Sequence, residues 1–175
     1  KPLLMFFTYN QIQIMISFAV IALVTGVIYL LQKKGLGKYI IPYVVTIAIM
    51  SPVVLLISMQ FFAGFAIFNL AMIYILLRFE KILEKGWFFY LFLVIGMATC
   101  YFDFLTYPVV TLGIPLVLWL IMVNRKKKEK IGKNLLQVVL GSVAWGIGYF
   151  GIWVGKWALG SLITGENLFK TAMEA

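Results

Sequence analysis

The feature that most constrains this fold is the length of its uncharged apolar runs. No charged residue occurs between Ile12 and Leu31, and none occurs between Tyr39 and Leu77. A helix of about 20 apolar residues crosses the roughly 30 Å of hydrocarbon in a bilayer, so the first run predicts one span and the second predicts two. The chain is 63% hydrophobic and 12% charged, whereas soluble domains are about 45–50% apolar and about 25% charged. We therefore expect an integral membrane protein.

The pattern of apolar runs and breaks predicts an all-α, polytopic transmembrane helical bundle of about six spans. Glycine, proline and clusters of charge mark the breaks. The predicted spans cover residues 12–31, 39–57, 61–78, 87–102, 108–123 and 134–155. Small residues in the sixth span favour close approach of neighbouring helices, and they are Gly141, Gly146, Gly148, Gly151 and Gly155. We expect the bundle to occupy residues 1–155 and the start of an extracytoplasmic or interfacial helical segment to occupy residues 156–175.

The placement of the positive charges predicts the orientation. Twelve of the 15 Lys and Arg residues lie in three segments, 32–38, 78–86 and 124–133. The positive-inside rule places such loops in the cytoplasm, so both ends of the sequence, which we interpret as a segment of a longer protein, should lie outside. The basic run in 124–133 could also indicate nucleic-acid binding, but a cytoplasmic loop explains it better. We expect membrane lipids, and no nucleic acid, as partners.

The residue types exclude several classes of chemistry. The chain has no His and one Cys, Cys100, which excludes histidine general bases, an internal disulfide and any multi-cysteine metal site. No nucleotide-binding or zinc-protease motif occurs in the sequence. We therefore expect no metal and no cofactor.

Varied polar groups are concentrated on the side predicted to be external. Asp103 lies at a predicted membrane boundary, between Tyr101 and Tyr107. Ionisable groups at such a depth are costly and are commonly functional. Asp103, Tyr101 and Tyr107 are therefore candidate substrate-binding residues. The carboxylate could bind a sugar hydroxyl, a cation or a protonatable group, and the rings offer flat apolar faces beside it. The alternative is that Asp103 caps a helix and the aromatic residues form an interfacial belt.

Lys156 and Glu166 are also candidate substrate-binding residues, predicted to lie near the outer surface, and both Lys156 and Asn69 allow two interpretations. The ammonium of Lys156 could bind a lipid phosphate as a point charge. Alternatively, Lys156 lies at a helix end with its ammonium extended to the interface. Asn69 lies near the middle of the third span, where an interhelical hydrogen bond is favoured over a transport pathway.

Two stretches, 101–116 and 156–167, give the chain a resemblance to bacterial polytopic membrane proteins of the GT-C glycosyltransferase type. The similarity covers about residues 39–170 and depends on hydropathy, loop spacing and these two stretches. The resemblance implies an enzyme of cell-envelope assembly in the bacterial cytoplasmic (inner or plasma) membrane. Such an enzyme transfers a sugar from a polyprenyl-phosphate carrier at the outer face, using an acidic base in an external loop. That acid lies in a first external loop that this sequence does not match, so the catalytic residue is unassigned.

Two other functions remain open from the sequence. A permease or flippase for a lipid-linked or apolar substrate is motivated by Asn69, the glycine-rich sixth span, Pro42 and Pro52. A noncatalytic membrane scaffold subunit is the third hypothesis, because the glycines offer packing surfaces for a partner.

Overall fold

The computed structural model of the chain describes residues 9–50, 59–102 and 108–165. In these residues the chain forms six α-helices and one 3-10 turn, and it forms no β-strand. The helices are α1 (Tyr9–Lys33), α2 (Ile40–Ile49), α3 (Met59–Lys85), α4 (Phe88–Phe102), α5 (Pro108–Lys127) and α6 (Ile131–Thr164), and the 3-10 turn (Gly37–Tyr39) precedes α2. The all-α prediction is confirmed.

Four of the helices are long and apolar enough to cross a membrane. These segments are Gln11–Lys33, Phe62–Lys85, Pro108–Lys127 and Ile131–Thr164. Helices α2 and α4 contain 10 and 15 residues, which correspond to about 15 and about 22 Å at 1.5 Å per residue. Each is shorter than the roughly 30 Å hydrocarbon core. The predicted second span, 39–57, ends among residues that lie outside the described part of the chain.

The end of α1 is determined by a glycine in the left-handed region. The backbone N–H of Leu36 donates to the carbonyl oxygen of Leu31 at 2.8 Å, and that of Gly35 donates to Gln32 at 2.9 Å. Together with a φ of 67° at Gly35, these bonds form a Schellman motif that satisfies the last carbonyls of the helix. Leu31 and Leu36 are both buried in the core, so the turn that follows is held against the bundle.

Helix α3 continues through the charged segment that the sequence predicts as a turn. It ends at Lys85, and the reversal occurs at Gly86, where φ is 64°. Arg, Glu and Lys favour helix, so residues 78–85 extend the apolar helix by about two turns until the first glycine.

Helix α6 is the longest element, with 34 residues, or about 51 Å. It continues beyond residue 155, the predicted end of the sixth span, and is closed by Gly165, whose φ is 71° and whose N–H donates to the carbonyl oxygen of Ser161. A glycine inside a helix costs only about 1 kcal/mol, so Gly155 does not end it.

Helices α3 and α5 lie at the centre of the bundle. One cluster of buried apolar side chains joins them to α1 and α2, and a second cluster joins them to α4 and α6. Trp119 of α5 is almost fully buried, with its ring centroid 5.1 Å from those of both Phe79 and Phe88. Large apolar side chains on the outer surface are exposed, as at Phe18 of α1, which suits contact with lipid.

Helices α4 and α6 pack in parallel and in backbone contact. A Cβ at Gly96 would overlap the carbonyl oxygen of Trp145, and one at Gly148 would overlap that of Leu93. Gly141 also faces a neighbour, since a Cβ there would lie 3.0 Å from the side chain of Leu116. The predicted close approach is confirmed at Gly141 and Gly148. A Cβ at the other predicted glycines, Gly146, Gly151 and Gly155, would meet nothing within 4 Å among the described residues.

Candidate functional site

The structure brings together two of the residues that the sequence nominates, at the end of α4 and α6. The ammonium nitrogen of Lys156 donates to the carbonyl oxygen of Cys100 at 2.9 Å. The same nitrogen lies 5.3 Å from the centroid of the Tyr101 ring, within the distance of a cation–π interaction. Lys156 and Tyr101 are both exposed.

This position of Lys156 has a structural consequence as well. Cys100 is one of the last residues of α4, which ends at Phe102, and the last four carbonyls of a helix have no intrahelical partner. A cation beside them is also favoured by the helix dipole. Lys156 therefore stabilises the end of α4 from the neighbouring helix.

A stripe of aromatic side chains on α6 leads to Lys156. It consists of Trp145, Tyr149, Trp153 and Trp157, spaced four residues apart, so they share one face of the helix. Trp145 and Tyr149 are stacked with centroids 4.9 Å apart, and Trp153 and Trp157 are tilted with centroids 4.5 Å apart. All four are half-buried. This aromatic stripe is not among the features predicted from the sequence, although its four-residue spacing is visible there.

The other nominated residues, Asp103, Tyr107 and Glu166, lie outside the described part of the chain. Their assignment as candidate substrate-binding residues stays a prediction, and the catalytic residue stays unassigned. Within residues 9–50, 59–102 and 108–165, no three His, Cys, Asp or Glu residues are grouped as metal ligands.

Contacts gather the basic segments at one end of the bundle. One guanidinium nitrogen of Arg125, Nη1, donates to the carbonyl oxygens of Lys34 and Gly35, at 2.6 and 3.1 Å. Lys126 forms an ion pair with Glu80. Lys156 lies 25 residues along α6 from Ile131, or about 37 Å, so the aromatic stripe leads away from the basic end.

Two buried hydrogen-bond networks join helices inside the bundle. Asn69 of α3 is fully buried, accepts the hydroxyl of Tyr43 from α2, and donates to the carbonyl oxygen of Phe65. This confirms the predicted interhelical hydrogen bond and favours packing over a transport pathway. In the second network, the hydroxyl oxygens of Thr99 and Thr111 are 2.8 Å apart, and the indole N–H of Trp145 donates to Thr111 at 3.3 Å, so that α4, α5 and α6 are joined at one point.

Comparisons with protein-family models, with curated protein sequences and with solved structures found no match to this chain. The structure itself defines a class, an all-α protein with several helices of membrane-spanning length. Such helices indicate an integral membrane protein.

Proposed function

We propose that this chain is part of a polytopic membrane glycosyltransferase of the GT-C type, which takes a sugar from a polyprenyl-phosphate carrier. The observation that supports it best is the position of the Lys156 ammonium beside the Tyr101 ring, at the end of the aromatic stripe. In this proposal the protein lies in a bacterial cytoplasmic membrane, its basic segments face the cytoplasm, and the Lys156 end faces outward.

The chemistry of the carrier suits these side chains. A polyprenyl-phosphate sugar combines an anionic phosphate, an apolar chain and a sugar ring. An ammonium group binds phosphate as a compact point charge, and Lys156 is exposed at the surface where the stripe ends. The tryptophan faces of the aromatic stripe provide flat apolar surfaces for the C–H face of a sugar or for the first isoprene units. Tyr101 and Lys156 would then contact the donor.

Asp103, Tyr107 and Glu166 complete the proposed site. Asp103 directly follows α4, and Glu166 directly follows Gly165 at the end of α6. The GT-C resemblance implies an acidic base in an external loop, and in the sequence each of these carboxylates comes just after a helix that carries Tyr101 or Lys156. We propose substrate-binding roles for them and assign no catalytic residue.

Native mass spectrometry with lipid extraction tests this proposal on the full-length protein, purified gently from its own membranes. We expect a polyprenyl-phosphate sugar to copurify, and the Lys156→Met variant to retain at least tenfold less of it. The Lys156→Arg variant, which keeps the charge, should retain more than Lys156→Met. Lys130→Met, at the opposite end of the bundle, is the matched control and should retain the wild-type amount.

Finding only bulk phospholipid, at an occupancy where a carrier lipid would be visible, would overturn the proposal. Asp103→Asn and Glu166→Gln test the two carboxylates in an assay of glycan transfer. Unchanged transfer in both variants would remove these two residues from the site.

A further inference from the structure

An open apolar groove lies between α2 and α5. One wall is formed by Tyr39, Tyr43 and Thr46, which share a face of α2 and the turn before it, and the other by Gly113, Val117 and Ile121 of α5. Its volume is about 430 Å³, within the roughly 300–1,000 Å³ of ligand sites in proteins. A Cβ at Gly113 would meet nothing within 4 Å among the described residues, so the groove is open beside this glycine.

Two hydroxyl groups in the groove walls, those of Tyr43 and Thr46, are already hydrogen-bonded within the protein. The Tyr43 hydroxyl donates to Asn69, and the Thr46 hydroxyl donates to the carbonyl oxygen of Pro42 at 2.9 Å. The remaining lining is almost entirely apolar. The groove therefore suits a hydrocarbon chain, since a polar ligand buried there would lose its hydrogen bonds to water without replacement.

At the basic end, the groove adjoins a second depression of about 600 Å³. The two share Tyr39, Val117 and Ile121, and the second adds Lys38 and Arg125. No carboxylate lines this depression in the described part of the chain. The cationic side chains of Lys38 and Arg125 therefore lie at the basic end, or mouth, of the apolar groove.

The cations are positioned by contacts within the protein. Arg125 uses Nη1 for its bonds to the carbonyls of Lys34 and Gly35. Nη2 also faces Gly35, whose Cβ position lies 3.0 Å away, so the guanidinium is held against the turn while Arg125 lines the depression. The Lys38 ammonium lies 5.0 Å from the Tyr39 ring centroid. An anion between these groups would be bound by a fixed, planar donor and a flexible point charge.

The length of the groove matches one leaflet of a bilayer. Between Val110 and Ile121, α5 rises by about 17 Å, close to half of the roughly 30 Å hydrocarbon core. We propose that the groove binds an acyl chain of an anionic phospholipid from the leaflet on the basic side, with the lipid phosphate between Lys38 and Arg125. The charge of the mouth selects the headgroup, and the apolar walls hold the chain.

Native mass spectrometry of the full-length protein, titrated with phosphatidylglycerol or with phosphatidylcholine of the same acyl chains, tests the proposal. We expect tighter binding of phosphatidylglycerol. Lys38→Ala should weaken it about fivefold, because a basic residue near an anionic headgroup contributes about 1 kcal/mol. Lys85→Ala is the matched control, since the Lys85 ammonium also lies over a ring, 4.4 Å from that of Trp87, but does not line the groove.

A second pair of variants tests the apolar part independently. Gly113→Trp should fill the groove and abolish the preferential binding, whereas Gly151→Trp, at a second glycine with no described neighbour, should leave it unchanged. Circular dichroism and size-exclusion chromatography identify any variant that fails to fold. Equal binding of the two lipids, equal effects of Lys38→Ala and Lys85→Ala, or displacement of phosphatidylglycerol by equimolar polyprenyl phosphate would overturn the proposal.

Discussion

At the scale of a single residue, the amide of Asn69 joins α3 to α2 inside the bundle. Its oxygen accepts the Tyr43 hydroxyl and its nitrogen donates to the carbonyl oxygen of Phe65. In lipid, such bonds contribute modestly, by about 0.6 kcal/mol on average. A buried hydroxyl that loses its partner costs more, about 1–3 kcal/mol. The effect of a substitution at Asn69 on stability therefore depends on whether the buried Tyr43 hydroxyl keeps a hydrogen-bond partner.

Asn69→Leu should lower the free energy of unfolding by about 1–2 kcal/mol, because the Tyr43 hydroxyl then has no acceptor in the bundle. Adding Tyr43→Phe should recover part of the loss, since the unpaired group is removed. Reversible unfolding in mixed micelles of the wild type, of Asn69→Leu, of Tyr43→Phe and of the double variant completes a double-mutant cycle. Strictly additive effects would show that the two side chains are not coupled.

Lys156→Met should lower the free energy of unfolding by about 1 kcal/mol, because the carbonyl of Cys100 loses its hydrogen-bond donor at the end of α4. Lys156→Arg should restore most of this stability. The same unfolding assay applies, and it separates the structural role of Lys156 from carrier binding. Equal stability of Lys156→Met and the wild type would contradict the helix-end role, and loss of bound carrier from such a stable variant would assign Lys156 to ligand binding alone.

Among the elements, α4 and α6 form the tightest pair, because two glycines allow the backbones to touch. Gly148→Val should destabilise the bundle by at least about 2 kcal/mol, since the new side chain overlaps the backbone at Leu93 and overpacking of this kind costs 1–3 kcal/mol or more. Thermal unfolding in detergent measures the loss.

Gly151→Val is the matched control for Gly148→Val, with the same residue change on the same helix. Its glycine has no described neighbour, so its effect should be limited to helix propensity, a few tenths of a kcal/mol. Similar melting temperatures for the two variants would show that α4 and α6 do not depend on close backbone contact.

The elements could be predicted from the sequence where a run of apolar residues is bounded by a strong helix breaker. Helix α5 begins at Pro108, as predicted from the suitability of proline for a first turn, and α1 ends beside Gly35. A cluster of charge alone predicts a helix end less accurately, as at residues 78–85, because charged residues also form helix. Which glycines of α6 face a neighbour depends on the helix rotation set by tertiary packing, and only the structure provides that.

At the scale of the whole molecule, the contacts of Arg125 with the Lys34–Gly35 turn place basic segments together, and the orientation can be tested directly. In a Cys100→Ser background, single cysteines at Lys34, Lys85 and Lys128 should react with a membrane-impermeant maleimide only from the cytoplasmic side. A cysteine at Thr164 should react only from the outside. Labelling of Lys34 and Thr164 positions from the same side would contradict the proposed orientation.

The candidate site could be predicted only in part, because it is assembled from distant segments. The sequence nominates Tyr101 and Lys156 separately, from residue type and membrane depth, but their contact depends on how α4 lies against α6. The aromatic stripe could have been found from its four-residue spacing. The groove between α2 and α5 could not, since it is a space between elements rather than a property of either.

The length of α6 relates the protein to the thickness of its membrane. Between Lys133 and Lys156 this helix carries no charge, and the two lysines are separated by about 35 Å along its axis. A tilt of about 20° brings that distance close to 32 Å, near the average hydrocarbon thickness of about 30 Å. The last two turns, after Lys156, must then project beyond the hydrocarbon. Because α6 is tied to α4 by backbone contact at Gly148, a thinner bilayer would have to tilt both helices together, so hydrophobic mismatch acts on the pair as one rigid body.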